Sequence, residues 1–139
     1  MRKVEKPWGY EEIWAQTDKY LGKILTILPG HRLSLQYHEE KEETIYVLEG
    51  KLIVWTSEDD TGRFVFNKGT VYHVKPGQVH RFGSPKGSEL TRLIEVSSPE
   101  IADVVRLADD YKRWKYLHII LIPILIAGLI SLLEHYLDI

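Results

Sequence analysis

The sequence has 139 residues, enough for one domain of ordinary size with a short extension, which excludes a multidomain enzyme. The 18 Lys and Arg residues against 20 Asp and Glu residues give a formal net charge of -2, so we predict no nucleic-acid partner. The absence of cysteine excludes disulfides and thiolate ligands and leaves histidine, carboxylate and amide groups as possible metal ligands. The first eight residues lack the apolar stretch of a secretory signal, which favours a cytoplasmic location.

Short segments rich in β-branched and aromatic residues dominate the first 113 positions, and turn residues such as Gly, Pro and Asp separate them. These segments predict β-strands over residues 20–28, 33–37, 44–48, 51–56, 63–66, 71–74 and 90–96. Turns at such short intervals are typical of an antiparallel sandwich or barrel.

Residues 99–111 form the exception, because their pattern favours a short helix. Ser98 precedes them as a possible N-cap, and helical spacing places four apolar residues on one face, Ile101, Val104, Val105 and Ala108. The sequence therefore predicts an all-β domain that ends in a short C-terminal helix.

The composition changes after residue 113. Residues 119–133 are apolar apart from Pro123, Gly128 and Ser131, and residues 117–137 would be long enough to cross a bilayer as a helix. Basic and aromatic residues flank this stretch, so we predict a C-terminal membrane anchor over residues 114–139 and a cytoplasmic domain over residues 1–113. The alternative is a buried helix that covers the barrel or pairs two subunits, in a protein that stays soluble in the cytoplasm.

Four possible metal ligands lie on predicted strands or beside them. Gln36 and His38 are two residues apart in one strand, so their side chains project from the same face. Glu43 precedes the next strand, and His80 follows a Pro-Gly turn. Such a set would suit Zn, Fe, Mn or Ni. On spacing alone, partly exposed histidines and a solvated acidic loop remain an alternative.

The same residues carry a family resemblance. The spacing from Gly30 through Gln36-Tyr37-His38 and Glu43 to Gly50 resembles the first cupin motif. The segment from Gly69 to Pro76-Gly77-Gln78-Val79-His80-Arg81 is similar to the second motif. The resemblance implies a cupin-type antiparallel β-barrel, or jelly roll, that holds one divalent metal on Gln36, His38, Glu43 and His80. Zn is the first choice, with Fe, Mn, Co and Ni as alternatives.

A narrower resemblance covers residues 7–113. The segments Pro7-Trp8-Gly9-Tyr10 and 29–38, together with Lys23, Arg106, Tyr111 and Arg113, are similar to the cupin domain of type II mannose-6-phosphate isomerases in a standalone form. This resemblance implies aldose–ketose interconversion of mannose 6-phosphate and fructose 6-phosphate. It also implies a homodimer.

Roles for individual residues follow from this reading. Lys23, Arg32, Arg81 and Arg106 are candidates for binding the phosphate of the sugar, and His31 and Glu95 are candidates for the base. Whether the chain is an enzyme stays open. Thr44 replaces a histidine that the isomerases usually carry, which favours a non-catalytic sugar-binding or sensing cupin, and another metal-dependent enzyme such as a dioxygenase is a further alternative.

Overall fold

The computed structural model describes residues 1–87 and 89–113, and these residues form three antiparallel sheets. The strands are β1 (Arg2–Lys6), β2 (Gly9–Gln16), β3 (Leu21–Ile27), β4 (Leu35–Tyr37), β5 (Glu43–Glu49), β6 (Leu52–Trp55), β7 (Arg63–Phe66), β8 (Val71–Val74), β9 (Arg81–Gly83), β10 (Thr91–Ser97) and β11 (Val105–Ala108).

The largest sheet has six strands in the order β1-β2-β3-β10-β5-β8, and it faces a three-stranded sheet in the order β7-β6-β9. A short pair, β11-β4, completes the wall. The core between the sheets comes from both sides, because residues such as Leu25, Val47 and Leu93 of the large sheet pack with Val54 and Phe82 of the small one. Burial of these apolar side chains supplies the main favourable free energy of folding.

Inward-facing residues of the large sheet are apolar at one end and polar at the other. Leu93 of β10 lies opposite Leu25 of β3, whereas Glu95, two residues further on, lies opposite Lys23. Side chains of a strand alternate between faces, so Glu95 and Lys23 still point into the barrel. The interior of the barrel is therefore apolar around Leu93 and Leu25 and polar around Glu95 and Lys23.

The seven strands predicted from the sequence are confirmed, with ends that differ by at most two residues. Four further strands, β1, β2, β9 and β11, were not predicted. In β2 the inward positions include the charged residue Glu11, which obscures the alternation of polar and apolar residues. Strand β9 has only three residues, too few for a periodic pattern.

The predicted helix over residues 99–111 is wrong. Val105–Ala108 forms strand β11, which pairs with β4, and the preceding residues form turns. Ser98 does not cap a helix; its Oγ accepts a hydrogen bond from the Glu42 backbone N–H at 3.0 Å. Pairing with an open strand edge has overridden a weak helical pattern.

The apolar stretch of residues 119–133 lies outside the described residues. Among the residues that the structure does describe, we find no helix with the length and hydropathy needed to cross a membrane.

Candidate metal centre and its cavity

Three of the four predicted ligands meet inside the barrel. His38 follows β4, Glu43 begins β5, and His80 precedes β9 and pairs with Gln36 through reciprocal backbone hydrogen bonds of 2.9 Å. One donor atom from each of His38, Glu43 and His80 lies within 4.8 Å of the other two. Each of the three side chains is at most 2% exposed.

The hydrogen bonds of the two imidazoles determine which nitrogen faces the centre. His38 Nδ1 contacts the backbone carbonyl of Asp103, and His80 Nδ1 lies 2.9 Å from the backbone carbonyl of Gln78. A carbonyl oxygen can only accept, so each Nδ1 carries a proton. In the neutral ring Nε2 then keeps its lone pair, which is the form that binds metals.

The Nε2 atoms of His38 and His80 are buried without a hydrogen-bond partner, and they lie 3.5 and 3.1 Å from Glu43 Oε1. Two lone pairs and a carboxylate oxygen around one point repel each other unless a cation lies between them. The residues present therefore fit a divalent metal, and two nitrogens with one oxygen suit Zn and the other metals named above.

Glu43 is ionised in this arrangement. Burial alone would raise its pKa, but hydrogen bonds from His38 and His80, when an imidazole is protonated at Nε2, and the charge of Lys41 hold the pKa well below the usual range. Its second oxygen, Oε2, lies 2.8 Å from Lys41 Nζ, which leaves Oε1 to face the two imidazoles.

A cavity of about 330 Å³ opens beside these residues. Apolar side chains, among them Trp8, Leu33 and Phe82, form part of its wall. The rest is strongly charged, with three carboxylates and five cations, namely Glu11, Glu43, Glu95, Lys6, Lys23, Lys41, Arg106 and Arg113. Gln36, the fourth predicted ligand, also lines this cavity.

The charged wall contains two buried ion-pair networks. Glu11 binds Lys23 at 2.8 Å and Lys6 at 3.0 Å through its two oxygens. Lys41 joins Glu43 to Glu95, whose Oε2 lies 3.4 Å from Lys41 Nζ. Burial raises the pKa of Glu95 to about 7, and the charge of Glu43 adds to this effect while the two lysines nearby oppose it.

Lys23, Arg106 and Glu95, which the sequence singled out, do line this cavity. The other candidates lie elsewhere. His31 and Arg32 line a separate cavity of about 710 Å³ beside Trp55, where Arg32 binds Asp110 through two hydrogen bonds of 2.7 and 3.1 Å.

The side chain of Arg81 is buried outside the cavity wall. It donates to the backbone carbonyl of Ala108 at 2.9 Å and lies 3.9 Å from Asp110. His31 Nδ1 contacts the Pro29 carbonyl at 3.0 Å. Arg81, His31 and Arg32 do not line the metal cavity, and their polar groups bind partners outside it. A substrate in that cavity would therefore not contact them.

Thr44 does not face the cavity. Glu43 and Ile45 point inward, so the alternation of β5 turns the Thr44 side chain outward, where its Oγ1 lies 3.0 Å from His73 Nδ1. The inference that Thr44 removes a partner from the site is therefore wrong for this chain, since a side chain at this position would not reach the metal centre.

Sequence reasoning missed several residues of the site. Lys6 and Glu11 lie in strands that were not predicted. Lys41 lies in the acidic loop that only the alternative interpretation addressed, as solvated, although Lys41 is 4% exposed. The charge of Glu11 obscures the alternation of β2, and nothing in the local sequence distinguishes Lys41 from a surface lysine.

The fold and the geometry of the site together define a β-barrel whose polar interior brings together three residues that could hold a metal ion. The sequence matches the family model described as Cupin domain over residues 23–97. That match covers more than half of the chain, and the chain belongs to the cupin family.

Among its relatives, the xanthan biosynthesis protein XanB of Xanthomonas campestris pv. campestris (strain B100) is 34% identical over 115 residues, which are 81% of this chain and 24% of that protein. The alginate biosynthesis protein AlgA of Pseudomonas aeruginosa is 34% identical over 113 residues, 79% of this chain and 23% of the relative. The mannose-1-phosphate guanylyltransferase of Escherichia coli (strain K12) is 33% identical over 115 residues, 81% and 23% of the two chains. The chain thus spans about a quarter of the length of these relatives.

Solved structures share the fold. The polyketide cyclase RemF from Streptomyces resistomycificus superposes with a TM-score of 0.66 at 19% identity, covering 85% of this chain and 84% of that one. KdgF from Halomonas sp. gives a TM-score of 0.62 at 17% identity, covering 74% and 90%. At these identities the similarity establishes the barrel and says nothing about the reaction.

Proposed function

We propose that this cupin domain binds one divalent metal and a phosphorylated sugar, and interconverts an aldose and a ketose such as mannose 6-phosphate and fructose 6-phosphate. The observation that carries the proposal is the convergence of two Nε2 lone pairs and the Glu43 carboxylate beside a cavity rich in cations. The names of the relatives, which include a mannose-1-phosphate guanylyltransferase, support a phosphorylated sugar as the ligand.

In this proposal His38, Glu43 and His80 hold the metal, with Gln36 as the fourth ligand. Ser34 Oγ donates to Gln36 Oε1 at 2.6 Å, which orients the amide and leaves that oxygen a second lone pair for the metal. Zn is the first choice among the divalent metals. The ion would polarise the carbonyl group of the sugar as a Lewis acid.

Arg106 is our main candidate for the phosphate of the sugar. It lines the cavity, and we find no ion pair for it among residues 1–87 and 89–113, so its guanidinium is available to a bidentate anion. Lys23 lines the same cavity but already binds Glu11 at 2.8 Å. Lys23 would therefore contribute positive charge to the cavity, and its ammonium would donate a hydrogen bond to a hydroxyl of the sugar.

Glu95 is our candidate for the base. Its carboxylate is buried in the cavity wall, on the same inward face as Lys23 and two strands away from Glu11. In the reaction it would take the proton from the carbon next to the carbonyl and return that proton to the former carbonyl carbon, while a second proton moves between the two oxygens. His31 lies in a different cavity, so we do not retain it as the base.

Binding without turnover is a second candidate function. The observation that favours it is that Glu95 is only 4% exposed and shares its Oε2 with Lys41 at 3.4 Å and Ser97 at 3.5 Å. With Oε2 engaged by two neighbours and the side chain buried, only Oε1 is left to accept a proton from substrate.

The test is an isomerisation assay with fructose 6-phosphate after loading with Zn, Co, Mn, Ni or Fe, in which the product is mannose 6-phosphate. We expect turnover that Glu95→Gln abolishes while sugar-phosphate binding persists, and Arg106→Ala should weaken binding. Lys19→Ala, a change at an exposed turn, is the matched control. Binding without product for every metal would support the second candidate, and neither binding nor turnover would refute both.

We further propose residues 1–113 as the cupin domain and residues 114–139 as a membrane anchor, on the apolar sequence of residues 119–133 alone. Fractionation of full-length protein at native expression tests this. Recovery in the soluble fraction would instead favour the alternative in which the tail packs on the barrel or on a second subunit.

A further inference from the structure

Asp103 lies in the turn before β11 and holds the loop that links two of the proposed metal ligands, His38 and Glu43. Its carboxylate accepts three backbone hydrogen bonds, from the N–H groups of Glu39 at 3.0 Å, Glu40 at 2.8 Å and Lys41 at 2.8 Å. These are three successive residues that follow His38 directly. One side chain, more than 60 residues away in sequence, therefore fixes the backbone path from His38 to Lys41.

The backbone of the same residue orients the imidazole. The Asp103 carbonyl accepts the hydrogen bond from His38 Nδ1, which selects the tautomer with its lone pair on Nε2. The side chain and the main chain of Asp103 thus act on one ligand together, because the loop carries His38 and the carbonyl sets the rotation of its ring.

The turn that carries Asp103 is also a wall of the cavity. Ile101, Ala102 and Val104 line it, and the far end of this segment is attached to the β5 side by the reciprocal bonds between Ser98 and Glu42 at 3.0 Å. A change that frees Asp103 would therefore move both the loop from His38 to Lys41 and these apolar residues of the cavity wall.

We propose that Asp103 is a positioning residue that couples the metal loop, residues 38–41, to the cavity wall, residues 101–104. This inference rests on the metal-binding part of the proposed function and is independent of the reaction catalysed. Removing the carboxylate frees three N–H groups of the loop and lets His38 leave the orientation that its metal needs.

The test measures metal binding with the full-length protein. We expect Asp103→Ala to raise the dissociation constant for Zn by roughly 10- to 100-fold, the usual effect of losing a residue that orients a metal ligand. The visible absorption spectrum of the Co-loaded protein should change as well. Asp103→Asn retains one oxygen acceptor, so its dissociation constant should lie between those of the wild type and Asp103→Ala.

The matched control is Asp59→Ala. Asp59 also accepts a backbone N–H, from Thr61 at 3.2 Å, but its loop does not line the metal cavity. We expect this variant to bind Zn and Co as the wild type does. If Asp103→Ala kept the wild-type affinity and Co spectrum, or if Asp59→Ala changed both equally, Asp103 would be a general structural residue and the inference would be overturned.

The outcomes also separate this inference from the proposed function. A wild-type protein that binds metal but isomerises no sugar phosphate would refute the proposed reaction, while weaker metal binding by Asp103→Ala would still support the inference. A wild-type protein that binds none of the five metals would overturn both.

Discussion

Replacing Lys41 with methionine tests the buried charge network of the site. Lys41 is 4% exposed, and its ammonium lies 2.8 Å from Glu43 Oε2 and 3.4 Å from Glu95 Oε2. Burial would lower the pKa of Lys41, but the charges of Glu95 and Glu43 outweigh it and raise the pKa above the ordinary value. Lys41 is therefore a cation at neutral pH. Lys41→Met leaves the Glu43 carboxylate buried without this neighbouring positive charge.

Breaking a buried ion pair by removing one partner costs about 3–5 kcal/mol of stability. Burial and Glu43 already raise the pKa of Glu95 to about 7, so this group can take up a proton in the variant at little cost. The loss should therefore fall near the lower end of the range, about 3 kcal/mol in the metal-free protein. A bound dication replaces the missing charge beside Glu43, so the variant should bind metal more tightly than the wild type.

The assay is urea denaturation with a chelator and with saturating Zn. The wild type should gain about 2.7 kcal/mol when free metal is 100 times its dissociation constant, and Lys41→Met should gain more at the same metal concentration. Lys3→Met is the matched control, since Lys3 pairs with Glu5 at 3.2 Å on the surface, and it should change stability by less than about 1 kcal/mol. A loss in Lys41→Met no larger than that of the control would refute the network as we describe it.

Three further predictions test the proposed metal ligands, the ion pairs of Glu11 and the backbone at Gly50. His38→Ala and His80→Ala should each abolish Zn binding, measured by metal analysis, while circular dichroism remains that of a β-barrel; bound metal in either variant would contradict the ligand assignment. Burial opposes the ionisation of Glu11, but Lys23 and Lys6 lower its pKa below 4.5, so Glu11 stabilises the protein above pH 4.5 and this contribution disappears as the pH falls below 4.5. The stability deficit of Glu11→Gln in urea should therefore be full at pH 7 and shrink in acid, and a constant deficit would contradict the pairing. Gly50 has φ +71°, where a Cβ would contact the Leu90 carbonyl, so Gly50→Ala should lower stability by more than about 1–2 kcal/mol, and an unchanged unfolding midpoint would contradict the geometry.

The sequence predicted most of the barrel because its strands are short, apolar on one side and separated by turns. The same rule failed for residues 105–108, where a helical pattern of apolar residues was real but weaker than the pairing of Val105 with Tyr37 and Arg106 with Gln36. Such pairing depends on a strand edge 68 to 73 residues earlier being open, and no local window of sequence contains that fact.

The proposed metal ligands could be named from the sequence because their spacing matches a motif, but their surroundings could not. Lys41 and Asp103 are both polar residues in turns, which are usually solvated, and each becomes part of the site only through partners far along the chain. Conversely, Arg32 lies within the first motif, yet it binds Asp110 outside the metal cavity. Proximity in sequence to a motif therefore does not decide which cavity a side chain enters.

The charge of the cavity bears on which ligand it can hold. Five cations and three carboxylates line it when all are ionised, and a divalent metal on His38, Glu43 and His80 would add two more positive charges in a region that water screens poorly. A neutral sugar would leave this excess uncompensated. A phosphate carries about -1.5 to -2 charges at neutral pH and three acceptor oxygens, so it offsets part of the excess and can accept two parallel N–H bonds from the Arg106 guanidinium. With the proposed metal bound, the charge of the cavity thus supports the proposal of a phosphorylated sugar over a free one.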